Sequence, residues 1–410
     1  MSNIQPVLLG ADLNCYHVAR AFHEAYGVRS KAFGRYPIGV TQYTRIIDFT
    51  TVPDMDNPSV MIDTLRKYAD ENKDKKLILL GCTDDYVSLI SRNREFLENS
   101  YVIPYISPDL MDRITLKEKF YELCDEMGID HPLTYIFRKE TPLDHLAPEI
   151  LGFDYPIIIK PSSSTLYWKY PFDGMKKVYS ADTREEAAKI ITEIYASGYP
   201  DSIILQDRIP GDDSFMYVLT SYSDREGRVR MMCLGHVLLE EHTPKGQGNH
   251  AAIITEYNEE LMLRFKALLE KLHFIGYSNF DIKYDPRDGK YKAFEINVRL
   301  GRSNYYVTAS GNNAARFIVD EYIEDNLPEG CLMNKKEVYW RYIPDKIVYK
   351  YSSDALKAKV KSLLKSGDAY SSMRYKPDLC GNLKRRLFIM IHEHNHIKKF
   401  KTYYHPETLK

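Results

Sequence analysis

Two neighbouring segments in the second half of this 410-residue chain most constrain its fold. Residues 280–285 (FDIKYD) and 292–299 (KAFEINVR) each have the composition of a β-strand, and the PRDG sequence between them is a strong turn signal. Asp281 lies on the first strand, while Glu295 and Asn297 lie two positions apart on the second and so point to one face. The pattern predicts a hairpin that presents oxygen ligands suited to Mg²⁺. A surface hairpin with solvated acids is the alternative interpretation.

The composition excludes several classes of protein. With 44% hydrophobic and 28% charged residues, the chain is typical of a globular protein, and its length predicts two or three domains. The 56 basic residues balance 57 acidic ones, which gives no reason to expect nucleic acid as a partner. No apolar run approaches the roughly 18 residues that span a bilayer, the start lacks a signal-peptide pattern, and six scattered cysteines indicate free thiols. We expect a cytoplasmic protein without an integral membrane segment.

The first 112 residues alternate between strand and helix patterns, at 6–10, 14–26, 30–33, 60–72 and 77–81. This alternation predicts an α/β domain with a parallel, doubly wound sheet. Ligands of such sheets bind beyond the carboxyl ends of the strands. Four polar residues follow those ends: Asp12, Asn14, Asp84 and Asp85. They either form a substrate-binding rim or cap the helices that follow. No GxGxxG motif is present, so a dinucleotide site is not expected.

The segment around residue 160 combines a buried strand with polar side chains. Lys160 ends the run YPIIIK, and a buried ammonium group needs a partner, for which a phosphate is suited. The serines that follow, Ser162, Ser163 and Ser164, would leave backbone N–H groups free to wrap a triphosphate. The alternatives are a lysine that reaches water and an ordinary polar turn. A helix is predicted before this segment, over 115–127.

A hinge-like segment, QDRIPGDD at 206–213, ends another predicted strand. Such a strand end can offer backbone groups to an adenine edge, and Asp213 can accept hydrogen bonds from ribose hydroxyls. A plain turn with a capping aspartate is the alternative. The polar, glycine-containing stretch 242–250 is predicted to be a mobile loop.

The order of these features resembles the ATP-grasp family of carboxylate–amine ligases. The resemblance spans about residues 113–325 and rests on Lys117, Lys160, the serine loop, 206–213, Asp281 and 295–297. It implies two α+β subdomains that clasp ATP, preceded by the N-terminal parallel α/β domain. The implied domains are 1–112, the central subdomain 113–200, the C-terminal subdomain 201–325 with the metal site, and an extension at 326–410.

The resemblance also implies roles for individual residues. The ATP phosphates would be held by Lys117, Lys160 and the serine loop, the adenine by Gln206 and the Ile209 backbone, and the ribose by Asp213. Two Mg²⁺ ions, for which Mn²⁺ can substitute, would be bound by Asp281, Glu295 and Asn297. Arg299 would stabilise the acyl phosphate. Lys119 is the alternative to Lys117, and Gln206 departs from the family, which often has an acid there.

The implied reaction needs no nucleophile from the protein. A substrate carboxylate attacks the γ-phosphate of ATP and gives an acyl phosphate and ADP, and an amine then displaces phosphate. Lys160 and Arg299 would act on the transferring group, and the loop at 242–250 is the candidate lid that excludes water. A carboxylase and a nucleotide-binding regulatory module without catalysis are the alternatives within this fold.

Within the family, residues 8–27 and 279–302 are similar to bacterial D-aspartate ligases. That similarity implies a small amino acid, D-aspartate, whose β-carboxylate is joined to the lysine side chain of a nucleotide-linked peptidoglycan precursor. Arg302 and Arg299 are the cations best suited to grip the acid, since arginine binds a carboxylate bidentately. A structural ion pair is the alternative for Arg302. Another acid and amine pair remains open, and a homodimer is allowed.

The tail combines basic and apolar residues at 384–391 and 398–404. This combination suits an anionic nucleotide-linked precursor or a membrane surface, and a solvated helix face is the alternative. His392, His394 and His396 alternate, so they would share a face of a strand but not of a helix, and we expect surface histidines.

Overall fold

The computed structural model describes residues 3–244 and 246–405, apart from the side chains of residues 164 and 165. The Ser164 side chain and Lys245 of the candidate lid therefore lie outside the described residues. The chain forms two compact units. The first comprises residues up to Met111, Asp212–Phe280 and the chain from Asn297 onward, and the second comprises Asp112–Gly211 and Asp281–Ile296.

The first unit begins with a five-stranded parallel sheet in the order β3-β2-β1-β4-β5. Its strands are β1 Ile4–Leu9, β2 Ser30–Gly34, β3 Ile47–Thr51, β4 Lys76–Gly81 and β5 Tyr101–Val102. The helices are α1 Leu13–Tyr26, α2 Pro58–Asp70 and α3 Asp84–Arg92. The central strands β1 and β4 are runs of apolar residues because helices cover both faces of a parallel sheet. The predicted parallel α/β region is confirmed.

Polar residues at the strand ends of this sheet fix the helices. Asp12 caps α1 by accepting a hydrogen bond from the Cys15 N–H at 3.1 Å. Asn14 is buried and donates to the carbonyls of Cys82 and Leu300 at 2.9 and 2.8 Å. The capping interpretation is thus confirmed for Asp12, and Asn14 holds neighbouring backbone segments rather than lining an open rim.

A second sheet follows the order β14-β13-β10-β11-β12-β16-β17, with β15 paired to β11. Its strands are β10 Met216–Ser223, β11 Val229–Glu241, β12 Asn249–Glu256, β13 Gly276–Asp285, β14 Lys290–Asn297, β15 Leu332–Met333, β16 Tyr339–Arg341 and β17 Ala369–Ser371. The predicted hairpin is therefore present as β13 and β14. The predicted loop at 242–250 is shorter than expected, since Asn249 and His250 already pair with Glu241 and Glu240 in the ladder of β11 and β12.

Helices of the first unit pack around this sheet. They are α9 Glu259–Lys271, α10 Tyr305–Ala309, α11 Ala314–Tyr322, α12 Asp345–Tyr351, α13 Asp354–Ser366, α14 Lys376–Leu379 and α15 Leu383–Tyr403. An apolar core that includes Tyr339, Val348 and Phe400 joins β11, β12 and β16 to the C-terminal helices. Across the described residues, every helix is too short or too polar to cross a membrane.

The second unit is built on a four-stranded antiparallel sheet in the order β6-β9-β7-β8. Its strands are β6 Thr134–Phe137, β7 Ile157–Pro161, β8 Tyr179–Ala181 and β9 Ile203–Asp207. The helices are α5 Lys117–Met127, α6 Pro148–Leu151, α7 Ser164–Tyr167 and α8 Arg184–Ala196. The core includes Ile157, Ile159, Ile191 and Leu205, which are fully or almost fully buried.

The predicted helix at 115–127 is wrong at its start. The chain forms α4 Pro108–Thr115 and then α5, and Leu116 between them is extended with φ −73° and ψ 120°. Ile114 and Phe120 are both buried. In one continuous helix these two side chains would point about 120° apart, because each residue turns by about 100°. The break lets both reach apolar surroundings and makes Lys117 the first residue of α5.

Candidate active site

Three lysines and one glutamate of the second unit form a charged cluster. Lys117 begins α5, Lys160 lies near the end of β7, Lys177 precedes β8, and Glu295 lies on β14. The Lys117 Nζ is 3.4 Å from Glu295 Oε2. The Lys160 Nζ lies 5.3 Å from the centre of the Phe294 ring. We call Lys117, Lys160, Lys177 and Glu295 the lysine cluster, which carries a net positive charge suited to a polyanion.

The electrostatics of the lysine cluster perturb Lys160 strongly. Burial, followed by the positive charge of Lys117, lowers the pKa of Lys160 from 10.5 to about 7, although Glu295 acts in the opposite direction. A cation in this position is destabilised until an anion arrives. A triphosphate would supply that anion, so the perturbed pKa marks Lys160 as a functional candidate.

Glu295 remains ionised in the same cluster. Burial alone would raise its pKa, but Lys117, Lys177 and Lys160 together lower the pKa to about 2. Asp281, also in the second unit, lies partly exposed on β13. In the first unit, the Asn297 Nδ2 donates to the Asn279 carbonyl at 3.4 Å, which leaves Oδ1 as the acceptor. Carboxylate and amide oxygens are the donors that Mg²⁺ prefers, so these residues fit that ion.

A metal site made of acids, histidines or cysteines alone is not present in the described part of the chain, where no three such side chains are grouped for one ion. The predicted set differs from such a site because one of its three members is an amide. Mg²⁺ usually keeps water and substrate phosphate in its remaining positions. We therefore expect water and nucleotide phosphate to complete the coordination by the predicted set.

Lys117 and Lys119 have different surroundings. Lys117 is 12% exposed and faces Glu295. Lys119 is 50% exposed and pairs with Glu122 at 2.9 Å on the surface of α5. Only Lys117 belongs to the lysine cluster, which favours it over Lys119 as the phosphate ligand.

The serine segment forms more hydrogen bonds within the protein than expected. The Ser162 N–H donates to the Ser202 carbonyl at 3.0 Å, and the Ser163 N–H donates to the Tyr199 hydroxyl at 3.2 Å. The expectation that these two N–H groups are free is wrong, because Ser162 extends the pairing of β7 with the β9 edge. The Ser163 Oγ also accepts from the Leu166 N–H at 3.3 Å, at the start of α7. Their contact with phosphate stays a prediction.

The predicted adenine residues lie at the end of β9. Gln206 is buried, and its Nε2 donates to Thr134 Oγ1 at 2.9 Å. A hydrogen bond also links Gln206 to the Tyr121 side chain, whose hydroxyl donates to the Phe294 carbonyl at 2.9 Å. The Ile209 carbonyl accepts from Lys283 Nζ at 2.9 Å. The hinge is thus fixed to β13 by a lysine.

The predicted ribose ligand, Asp213, belongs to the first unit and is buried. Its Oδ2 accepts from the Glu240 N–H at 2.8 Å, and both carboxylate oxygens lie 3.0 Å from His242 Nε2. The turn is capped by the preceding residue, Asp212, which accepts from the Ser214 N–H at 2.9 Å. The capping alternative therefore applies to Asp212 and not to Asp213.

The two candidate arginines of the first unit each have an acidic partner. Arg299 grips Asp84 with two contacts of 2.7 Å, from Nε and from Nη2. Arg302 Nη1 lies 3.5 Å from Glu241 Oε2, and its guanidinium lies 5.1 Å from the centre of the Tyr342 ring. The ion-pair alternative for Arg302 is therefore present.

The sequence assigns no individual role to several residues near these groups. Lys177 acts on Glu295 and Lys160, but it is one of two adjacent lysines in a loop without a distinguishing spacing. Tyr121 and Glu241 are distant in sequence from the residues they contact. His250 is buried, and Arg302 contributes to a pKa lowered to about 4, after the larger effect of burial. Only a three-dimensional structure brings these side chains to the site residues.

Comparison with known proteins assigns the chain to a family. A D-aspartate ligase from Enterococcus faecium (strain Aus0004) is 39% identical over 408 residues, which cover 98% of this chain and 96% of that relative. This chain belongs to the D-aspartate ligase family. No family model matches it. Membership agrees with the sequence resemblance at 8–27 and 279–302.

Solved structures of ligases and carboxylases share the fold of this D-aspartate ligase family member. An L-amino acid ligase from Bacillus licheniformis has a TM-score of 0.55 at 14% identity, covering 78% of this chain and 74% of its own. The biotin carboxylase domain of Hydrogenobacter thermophilus 2-oxoglutarate carboxylase, solved with MgADP, has a TM-score of 0.59 at 12% identity, covering 81% and 72%. The fold is ATP-grasp, and the chain is an ATP-dependent carboxylate–amine ligase.

Proposed function

We propose that this ligase activates the β-carboxylate of D-aspartate as an acyl phosphate and joins it to the lysine side chain of a peptidoglycan precursor. The observation that carries the proposal is near-complete similarity to a D-aspartate ligase, at 39% identity over 98% of the chain. The acceptor is a nucleotide-linked muropeptide, and the reaction takes place in the cytoplasm, where ATP is supplied. A homodimer stays a prediction.

The lysine cluster supports the nucleotide half of the proposal. Lys117 and Lys160 bind the ATP phosphates, with Lys177 as a third cation at the same carboxylate. The serine segment 162–164 adds hydroxyl groups. Gln206 and the Ile209 backbone contact adenine, and Asp213 accepts from the ribose once its histidine partner moves.

Asp281, Glu295 and Asn297 bind two Mg²⁺ ions, or Mn²⁺ in their place. The depressed pKa of Glu295 supports this role, because a ligand must be deprotonated to bind a hard cation. Mg²⁺ supplies neutralisation of charge on the transferring phosphoryl group. The protein side chains hold the carboxylate and the phosphate in line and keep water from the acyl phosphate.

The arginines of the first unit bind the acid. Arg302 binds a carboxylate of D-aspartate. Its contact with Glu241, at 3.5 Å, is made by Nη1 and leaves other N–H donors of the guanidinium available. Arg299 stabilises the acyl phosphate and is oriented by its two-contact pair with Asp84. An arginine that is held by one acid keeps further N–H donors for a second anion.

Acceptor-dependent phosphate release tests the substrate assignment. Purified full-length protein is incubated with ATP and Mg²⁺, with D-aspartate, L-aspartate or other amino acids, and with lysine-containing muropeptide acceptors. We expect rapid phosphate release only when D-aspartate and a lysine acceptor are both present, with a product heavier by one aspartyl residue in mass spectrometry. Matched reactions that contain an acceptor with a blocked lysine amine are the control.

Two results would contradict parts of the proposal. If phosphate is released with another amino acid but not with D-aspartate, the proposed substrate is wrong. The assignment to the ligase class would still hold. Release that does not depend on any amine, with bicarbonate as the acid, would favour the carboxylase alternative.

A further inference from the structure

The first half of the C-terminal helix α15 carries apolar residues on its outer face as well as on its inner face. Leu383, Leu387, Met390 and Ile391 are 76%, 58%, 64% and 52% exposed. Their spacing of four, three and one places them along one side of the helix, because residues three and four apart are neighbours. We call these four residues the outer stripe. Isolated exposed apolar residues are ordinary, whereas a contiguous set indicates an interaction surface.

The orientation of the outer stripe is fixed by strong contacts on the inner face of the same helix. Arg385 is fully buried and pairs with the equally buried Asp378 at 3.1 Å. Its Nη1 also donates to the carbonyls of Val40 and Gln42, at 2.8 and 3.0 Å. Ile389 is buried on the same side. The helix cannot rotate to bury the outer stripe without breaking this ion pair.

Positive charges surround the outer stripe. Lys384 and Arg386 are exposed between its members, and Lys376 lies beside them at the start of α14. None of the three forms an ion pair with a described residue. Glu393, the one acid of α15, is already paired with Arg374 at 2.6 Å. The outward charge of this end of the helix is therefore positive.

A groove of about 500 Å³ runs next to the outer stripe. Its lining is both cationic and apolar. The positive charges come from Arg374, Lys376 and Arg386, and the apolar wall is formed by Leu379, Ile389 and Met390. An anionic headgroup with a short length of acyl chain matches both the charge and the apolar wall.

We propose that this face of α15 docks on the surface of an anionic lipid bilayer. Helices that lie in the plane of the membrane–water interface expose apolar residues such as leucine, isoleucine and methionine, with lysine and arginine on either side. Anionic lipids attract such segments electrostatically. A second copy of the chain is a poorer partner, because a two-fold contact through this face would bring like charges together. Docking would hold the ligase at a membrane through this surface helix.

Vesicle sedimentation tests the docking surface with the full-length protein. Vesicles of phosphatidylcholine alone are compared with vesicles that also contain phosphatidylglycerol. We expect the protein to sediment with the phosphatidylglycerol vesicles, to stay in solution with phosphatidylcholine alone, and to be released as the salt concentration is raised. The double variant Leu387→Ser/Met390→Ser should bind at least about tenfold more weakly, since it removes apolar side chains from the contact. Lys384→Glu/Arg386→Glu should lose the preference for anionic vesicles.

The matched control is Leu263→Ser, since Leu263 is a 49% exposed residue on α9 of the same unit. This variant should bind vesicles like the wild type. All variants should keep the wild-type unfolding midpoint and the ligase rate with soluble substrates. The proposal is overturned if the wild type does not bind phosphatidylglycerol vesicles or binds both kinds equally. It is also overturned if light scattering shows that Leu387→Ser/Met390→Ser turns an oligomer into a monomer, because the surface would then be a protein interface.

Discussion

At the scale of single residues, two lysines on one helix provide a matched test of phosphate binding. Lys117 lies 3.4 Å from Glu295 within the lysine cluster, while Lys119 pairs with Glu122 on the surface. We expect Lys117→Ala to weaken ATP binding by about tenfold or more, which is the loss of about 1.4 kcal/mol from one phosphate contact. Lys119→Ala should change the dissociation constant by less than about twofold.

Isothermal titration with ATP and Mg²⁺ measures both dissociation constants. Equal losses in the two variants would contradict the assignment of Lys117, and a loss in Lys119→Ala alone would exchange their roles. The unfolding midpoint of each variant, measured without nucleotide, separates binding from stability.

Lys160 makes ATP binding depend on pH. Its pKa is lowered to about 7 by burial and by Lys117, so above pH 8 most molecules carry a neutral Lys160 before ATP binds. A triphosphate binds the protonated form better and returns the pKa toward its usual value. Binding should therefore take up close to one proton near pH 8, and affinity should fall as pH rises from 7 to 9 by up to about tenfold per pH unit.

Titrations in two buffers with different ionisation enthalpies count the protons taken up. Lys160→Arg is the control, because an arginine stays charged across this range and should abolish the uptake. An unchanged uptake in that variant would show that another group carries the proton.

At the scale of elements, a buried ion pair anchors the C-terminal helix. Arg385 and Asp378 are both inaccessible, and Asp378 also accepts from the Tyr16 hydroxyl at 2.9 Å. Removing one partner leaves a buried charge, so Arg385→Ala should lower the free energy of unfolding by about 3–5 kcal/mol. The control is the more exposed pair that Glu393 of the same helix forms with Arg374, and Arg374→Ala should cost less than about 1 kcal/mol. Urea unfolding measures both, and similar losses would refute the distinction.

Helices and strands with a clear pattern of apolar residues were predictable from the sequence. Those whose first or last residue depends on packing against distant parts of the chain were not. The strands β1 and β4 and the helix α1 follow from local runs and caps. The break at Leu116 is invisible in sequence, since no glycine or proline marks it. His392 and His396 were expected at the surface, but on the helix α15 they lie one turn apart, with their Nε2 atoms 2.9 Å from each other. His396 is buried.

The candidate site likewise contains some features that the sequence predicts and others that it does not. The sequence singled out Lys160 because it ends a buried strand and Glu295 because it shares a strand face with Asn297, and the structure brings Lys160 and Glu295 into one charged cluster. The pair of Arg299 with Asp84 joins residues 215 apart in the chain, and no local pattern predicts which acid an arginine meets. The N–H groups of Ser162 and Ser163 were expected to be free because a sequence does not reveal that the β7 ladder continues past Pro161.

At the scale of the whole molecule, buried histidines set the response to acid. Burial is the largest cause of a lowered pKa in His17, His250, His392 and His396, with values of about 4 for His250 and His392 and about 2 for His396. In the unfolded chain each histidine titrates near 6.5. Between about pH 6.5 and 4 these histidines therefore bind more protons in the unfolded state than in the folded state, so the stability they contribute falls as the pH is lowered through this window.

Urea unfolding at pH 7.5, 6 and 5 measures this loss. Each histidine that stays neutral in the folded state contributes about 1.4 kcal/mol per pH unit below 6.5, so His250→Asn should reduce the slope by about that amount. His394→Asn is the matched control, because it makes the same substitution at an exposed position on α15. Carboxyl groups with a depressed pKa, such as Asp285, act in the same direction but only below about pH 4, so they do not obscure the histidine window. A slope that is the same in the wild type and in His250→Asn between pH 6.5 and 5 would contradict the lowered pKa of His250 in the folded protein.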